Sequence, residues 1–105
     1  MTPEEAQIRL DELRVLIDEV DRRVVELLNE RTRVVEEIGR VKRQAALPIY
    51  EPKREEQVFA NVTASNHGPL SPEALRRIFE RVIDEMRKIQ RLWIESEDSA
   101  RPGDR

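Results

Sequence analysis

Arg31 stands where an apolar residue is expected. The residues Leu10, Leu13, Ile17, Val20, Val24, Leu27, Val34, Ile38 and Val41 advance in steps of three and four, and position 31 is the slot in that series filled by a cation. Lys42 follows eleven residues later, within about 20° around a helix and about 16 Å along it. Two long cationic side chains on one stripe can bracket a small anion. Gln90 falls between Met86 and Trp93 on an apolar helical face, where a neutral amide needs a hydrogen-bond partner. Each residue alone has a plain explanation. Arg31 reads as a structural ion pair or a polar residue that fixes register, Lys42 as a surface lysine, and Gln90 as the edge of an amphipathic helix. Together, on elements that should face one another, they point to a buried anion site. A second cluster, Glu51-Pro52-Lys53-Arg54-Glu55-Glu56, reads as a helix start with acids near its positive end; that accounts for the glutamates and leaves Arg54 over.

The elements that must position these groups are helices. From Glu4 to Ala46 there is no proline and one glycine, Gly39, and good helix formers dominate. Thr2 is placed to cap this helix, with Pro3 in its first turn. The stretch Leu47–Glu51, with Pro48, breaks the pattern. A second helix starts near Pro52 and carries Val58, Phe59 and Val62, until Ser65-Asn66-His67-Gly68-Pro69 stops it. Ser71-Pro72-Glu73 is a strong helix start, and Leu75, Ile78, Phe79, Val82, Ile83, Met86, Ile89 and Trp93 follow at helical spacing. The fold class is therefore all-α: one long, one short and one medium helix, with residues 1–95 as a helical domain and residues 96–105 as a polar flexible tail. The first helix would be a rod of about 65 Å, against a radius of gyration of about 13 Å for a compact domain of this size. Two shorter helices cannot cover such a rod, which predicts an intertwined homodimer.

Composition narrows the function. The 105 residues carry 19 Lys and Arg against 22 Asp and Glu, a net charge of −3, which disfavours a nucleic-acid binder. No apolar run approaches the ~20 residues of a membrane span. The absence of cysteine excludes disulfides, thiolate catalysis and thiolate-held metals, and a single histidine disfavours a histidine metal site or a serine triad. Residues 1–5 are polar and acidic, so no secretory signal is expected and a cytoplasmic location is.

With these residues in place, the chain resembles the all-helical (AroQ-type) chorismate mutases. The resemblance runs from about Gln7 to Leu92. It is carried by Leu13-Arg14, Ile17-Asp18 and Val20-Asp21, by Leu27-Leu28-Asn29-Glu30-Arg31 and Ile38-Gly39-Arg40-Val41-Lys42, by Pro52-Lys53-Arg54-Glu55-Glu56, and by Gln90. The Pro-Lys-Arg-Glu-Glu stretch looks most like mutase domains attached to, or working with, the first synthase of the shikimate pathway. The resemblance implies rearrangement of chorismate to prephenate without cofactor or metal. It also implies roles. Arg14, reaching into the partner subunit's site, and Arg31 would hold substrate carboxylates. Lys42 and Gln90 would hydrogen-bond the ether oxygen, and Arg54 would add positive charge. Glu55, with the region of Glu51, would bind the ring hydroxyl. Spacing agrees on one point: Arg14 is seventeen residues from Arg31, about 25 Å along a straight helix, so both can serve one small ligand only if Arg14 comes from a second chain.

Two positions depart from the family pattern. Met86 stands where many bacterial members have a small hydroxyl residue near a substrate carboxylate, and Glu51 where many have aspartate. Three other readings compete. An isochorismate pyruvate lyase would share the fold and the cations. A weakly active or non-catalytic helical module would dock on a shikimate-pathway synthase and sense pathway ligands. A plain dimerisation coiled coil would gain stability from Arg31→Leu at no other cost.

Overall fold

The computed structural model describes residues 1–100; the side chains of Trp93 and of residues 97–100, and the whole of residues 101–105, lie outside the described residues. Among the described residues the chain is all-helical: α1 (Pro3–Gln44), α2 (Pro52–Ser65) and α3 (Pro72–Ala100).

Local chemistry sets the ends of these helices. Thr2 Oγ1 accepts the backbone N–H of Glu5 at 3.1 Å, so the predicted cap of α1 is formed. At the other end, Leu47 N donates to Lys42 O at 2.7 Å and Ala46 N to Arg43 O at 3.3 Å. With Ala46 at φ 56°, these two bonds make a Schellman closure. Pro52 occupies the first turn of α2 as expected, but its N-cap residue, Glu51, makes no side-chain capping bond. Asn66 ends α2: its N–H donates to Thr63 O at 3.2 Å, and its side chain donates to Leu70 O and accepts from Gly68 N. Ser71 Oγ accepts Ala74 N at 3.1 Å and starts α3. α3 continues to Ala100, so position 95 is not an element boundary. No proline or glycine intervenes before Pro102, and the polar residues 96–100 stay helical; the remainder of the expected tail lies outside the described residues.

The chain divides into two compact units, Met1–Arg33 and a second that begins at Val34. In the first unit the apolar series is uncovered: Leu10, Leu13, Ile17, Val20, Val24 and Leu27 are each 42–63% exposed. In the second, α2 packs on α3, and the buried apolar residues are Val35, Ile83 and Met86. The buried residues of α1 are Val35, Gly39 and Lys42. This stripe lies one residue beyond the predicted one; Val34, Ile38 and Val41 stay exposed. The last turns of α1 thus have two faces, one turned to their own unit and one apolar and open.

Candidate active site

Lys42 ends the inward stripe of α1, and only 7% of it is exposed. Its ammonium meets three acceptors: Ile49 O at 2.9 Å, Gln90 Oε1 at 3.3 Å and Glu51 Oε1 at 3.0 Å. A buried ammonium has three protons to place, and here each has an oxygen. The surface-lysine reading is therefore wrong, for a reason invisible in periodicity: the chain after α1 folds back so that the carbonyl of Ile49 and the carboxylate of Glu51 return to the helix end. This also explains the missing cap. Glu51 gives its carboxylate to Lys42 instead of to the α2 amides.

Gln90, 8% exposed, is buried rather than placed at a helix edge. Lysine can only donate, so the amide oxygen of Gln90 must face Lys42. Its N–H pair is then left to donate elsewhere. Met86, also buried, lies one turn before Gln90 on α3. Lys42 and Gln90 thus form a buried corner with one cation and one neutral donor, and Met86 is buried on the same helix as Gln90.

Glu55, one turn after Glu51 on α2, is half-buried and engaged by a residue that spacing did not single out. Arg87 Nη2 donates to Glu55 Oε1 at 2.8 Å and Oε2 at 2.7 Å, while Nη1 meets Asp84 Oδ1 at 3.3 Å. The guanidinium also lies over the Tyr50 ring, 5.0 Å from its centroid. The hydrogen bond with Glu55 is the largest influence on Arg87; aided by the charges of Glu55 and Asp84, it outweighs burial and raises the guanidinium pKa. Arg87 was legible only as one more charge beside the apolar face of α3. Its partner lies 32 residues away, on another helix.

The other predicted residues are placed differently. Arg54 is exposed, and its Nη1 meets Gln57 Oε1 at 3.4 Å, within α2. Arg14 and Arg31 belong to the first unit. Arg14 is exposed and pairs with Asp11 at 3.6 Å, and Arg31 is half-buried. Among the described residues no cluster of three or more acidic or histidine side chains is arranged to hold a metal, and no helix is long and apolar enough to cross a membrane. An open hollow lined by Val62, Ser65, Asn66, Leu75 and Phe79 contains no charged side chain and does not suit an anion.

Residues 13–91 match the family described as chorismate mutase type II. The chain belongs to that family. As a type II chorismate mutase family member, it is 40% identical over 78 residues to a bifunctional chorismate mutase/prephenate dehydratase of Aquifex aeolicus, covering 70% of this chain and 22% of that protein. The chain thus spans about a fifth of the length of the bifunctional relatives it matches. Solved chorismate mutases superpose closely. That of Thermus thermophilus is 40% identical, with a TM-score of 0.77 over 79% of this chain and 94% of that one. That of Helicobacter pylori, in complex with prephenate, is 29% identical, with a TM-score of 0.76 over 82% and 93%. The all-helical fold expected from the sequence is the fold of the family.

Proposed function

We propose that the protein is a chorismate mutase, converting chorismate to prephenate. The reaction is an intramolecular Claisen rearrangement. One C–O bond breaks and one C–C bond forms within a single molecule, so no nucleophile, metal or redox partner is consumed. The buried Lys42–Gln90 pair carries this reading. As the ether C–O bond breaks, negative charge gathers on its oxygen, and the positive charge of Lys42 beside it, with the N–H pair that Gln90 has left to donate, would stabilise the transition state more than the substrate; one of the present Lys42 acceptors yields to the substrate if the ammonium bonds it directly. The substrate is a dianion that must be held in a compact conformer, which suits arginine–carboxylate contacts from Arg31 and Arg14, with Arg54 adding positive charge. Glu55, with Glu51 near it, accepts the ring hydroxyl, and Met86 supplies an apolar wall.

The same reading requires a homodimer. The uncovered residues from Leu10 to Leu27 match the seam a second copy would bury, and Arg14 serves the partner's site. The Pro52-Lys53-Arg54-Glu55-Glu56 stretch supports a further partner, the first synthase of the shikimate pathway; a rise in turnover on adding that enzyme would support it, and no change would remove it.

The test is direct. Purified protein mixed with chorismate should consume it, followed by absorbance, and yield prephenate on chromatography. Pyruvate with a hydroxybenzoate product would replace the mutase reading with a lyase. Binding without turnover would replace it with a docking module.

A further inference from the structure

Arg87 is held from three directions: by Glu55 on α2, by Asp84 on its own helix, and by the ring of Tyr50 in the segment between α1 and α2. Tyr50 lies between Ile49 and Glu51, two of the three residues that receive the Lys42 ammonium. Gln90 follows Arg87 by one turn. The Arg87–Glu55 pair thus lies one turn from Gln90 on α3 and one turn from Glu51 on α2, next to the Lys42–Gln90 pair. A bare carboxylate there would repel a dianion. A carboxylate neutralised by a fixed guanidinium would not, and it would still accept hydrogen bonds: it offers about four lone-pair directions, while Arg87 Nη2 approaches its two oxygens at 2.8 and 2.7 Å.

We propose that Arg87 is a positioning residue of this site, which fixes Glu55 and balances its charge so that Glu55 can accept the ring hydroxyl of the substrate. The proposal rests on the mutase reading and adds to it a residue that the sequence did not mark. Arg87 touches Glu55 and not the substrate, so its loss should be felt through the hydroxyl. Arg87 also packs on Tyr50, and a merely structural role would slow every substrate alike.

The experiment compares the wild type, Arg87→Met and Arg87→Lys on chorismate and on an analogue with hydrogen in place of the ring hydroxyl. Arg87→Met should lower kcat/KM for chorismate by roughly 10- to 100-fold, mainly through KM, the scale expected for loosening a hydrogen bond to a charged group. Turnover of the deoxy analogue should change by less than about threefold, so that the preference for chorismate collapses. Arg87→Lys should fall between, and Arg87→Met should add little in a Glu55→Gln background. An equal loss on both substrates, or no loss on either, would overturn the proposal while leaving the mutase reading intact. A wild type inactive on both would overturn that reading and the proposal with it. If Arg87→Met loses its helical circular dichroism, the preference measured in Arg87→Lys decides in the same way.

Discussion

The proposal that two copies share each site makes a quantitative prediction. Arg14 is exposed, and its ion pair with Asp11 is a surface contact at 3.6 Å, worth about 0–1 kcal/mol. Its removal should barely affect folding. If it holds a substrate carboxylate, Arg14→Ala should cost about 10²–10⁴-fold in kcat/KM, the loss of two charge-assisted hydrogen bonds; Arg31→Ala should cost as much. The two inactive proteins should then rescue each other. In the proposed two-fold dimer each site would take Arg31 from one chain and Arg14 from the other. A mixed dimer has one site with both arginines and one with neither. With free exchange at equal concentrations, about half the dimers are mixed, so about a quarter of all sites, and about 25% of wild-type turnover, should return. The assay is chorismate loss in a titration of one variant against the other, with differently tagged chains showing exchange. Recovery should peak at equal amounts and vanish at either end. Exchanged dimers without recovery would refute the shared site. Substantial activity in Arg14→Ala alone would refute the role of Arg14.

Other outcomes follow from particular contacts. Gln90→Glu should make the rate depend on pH. The carboxylate formed above about pH 4.3 cannot donate, and Lys42 at 3.3 Å favours that charged form, so kcat/KM should fall about 10²–10³-fold at neutral pH and climb as pH drops; a flat profile in this variant would count against donation from position 90. Ala46→Gly should raise the melting temperature by a few degrees, because a left-handed φ of 56° costs alanine about 1 kcal/mol that glycine avoids; an unchanged or lower value would remove that account of the helix end. Val20→Glu, on the uncovered seam, should shift the protein to monomer by sedimentation and abolish turnover together, whereas an intact dimer would move the interface elsewhere.

What was legible in the sequence divides along one physical line. Features set by residues near one another in the chain were readable: the Thr2 and Ser71 caps, Pro52 in a first turn, the stop at Asn66. So were residues that violate the helix they sit on, since Arg31 interrupts the apolar series of α1 and Gln90 the apolar face of α3. The inward stripe of α1 was harder. Val35, Gly39 and Lys42 include one large apolar side chain, so they add almost nothing to a hydrophobic rhythm, while the outward Val34, Ile38 and Val41 dominate it. A periodicity count therefore finds the face with the most apolar area, which the chain leaves open, and misses the one it buries in itself.

Glu51 and Arg87 show the same line from the other side. At the start of α2, Glu51 has two possible uses for its carboxylate: the helix amides beside it or a cation elsewhere. Local chemistry favours the first, and the structure takes the second. The energetic reason is burial. An exposed amide at a helix end can bond to water, whereas Lys42, 7% exposed and otherwise met by neutral oxygens, would be left a buried charge without a counter-charge. Arg87 follows the same logic with Glu55. Both carboxylates of the proposed site are thus directed by cations on other helices. Neither serves the amide end of α2: Glu51 is tied to Lys42 and Glu55 to Arg87, so each carboxylate is fixed by a side chain that only the tertiary fold brings to it.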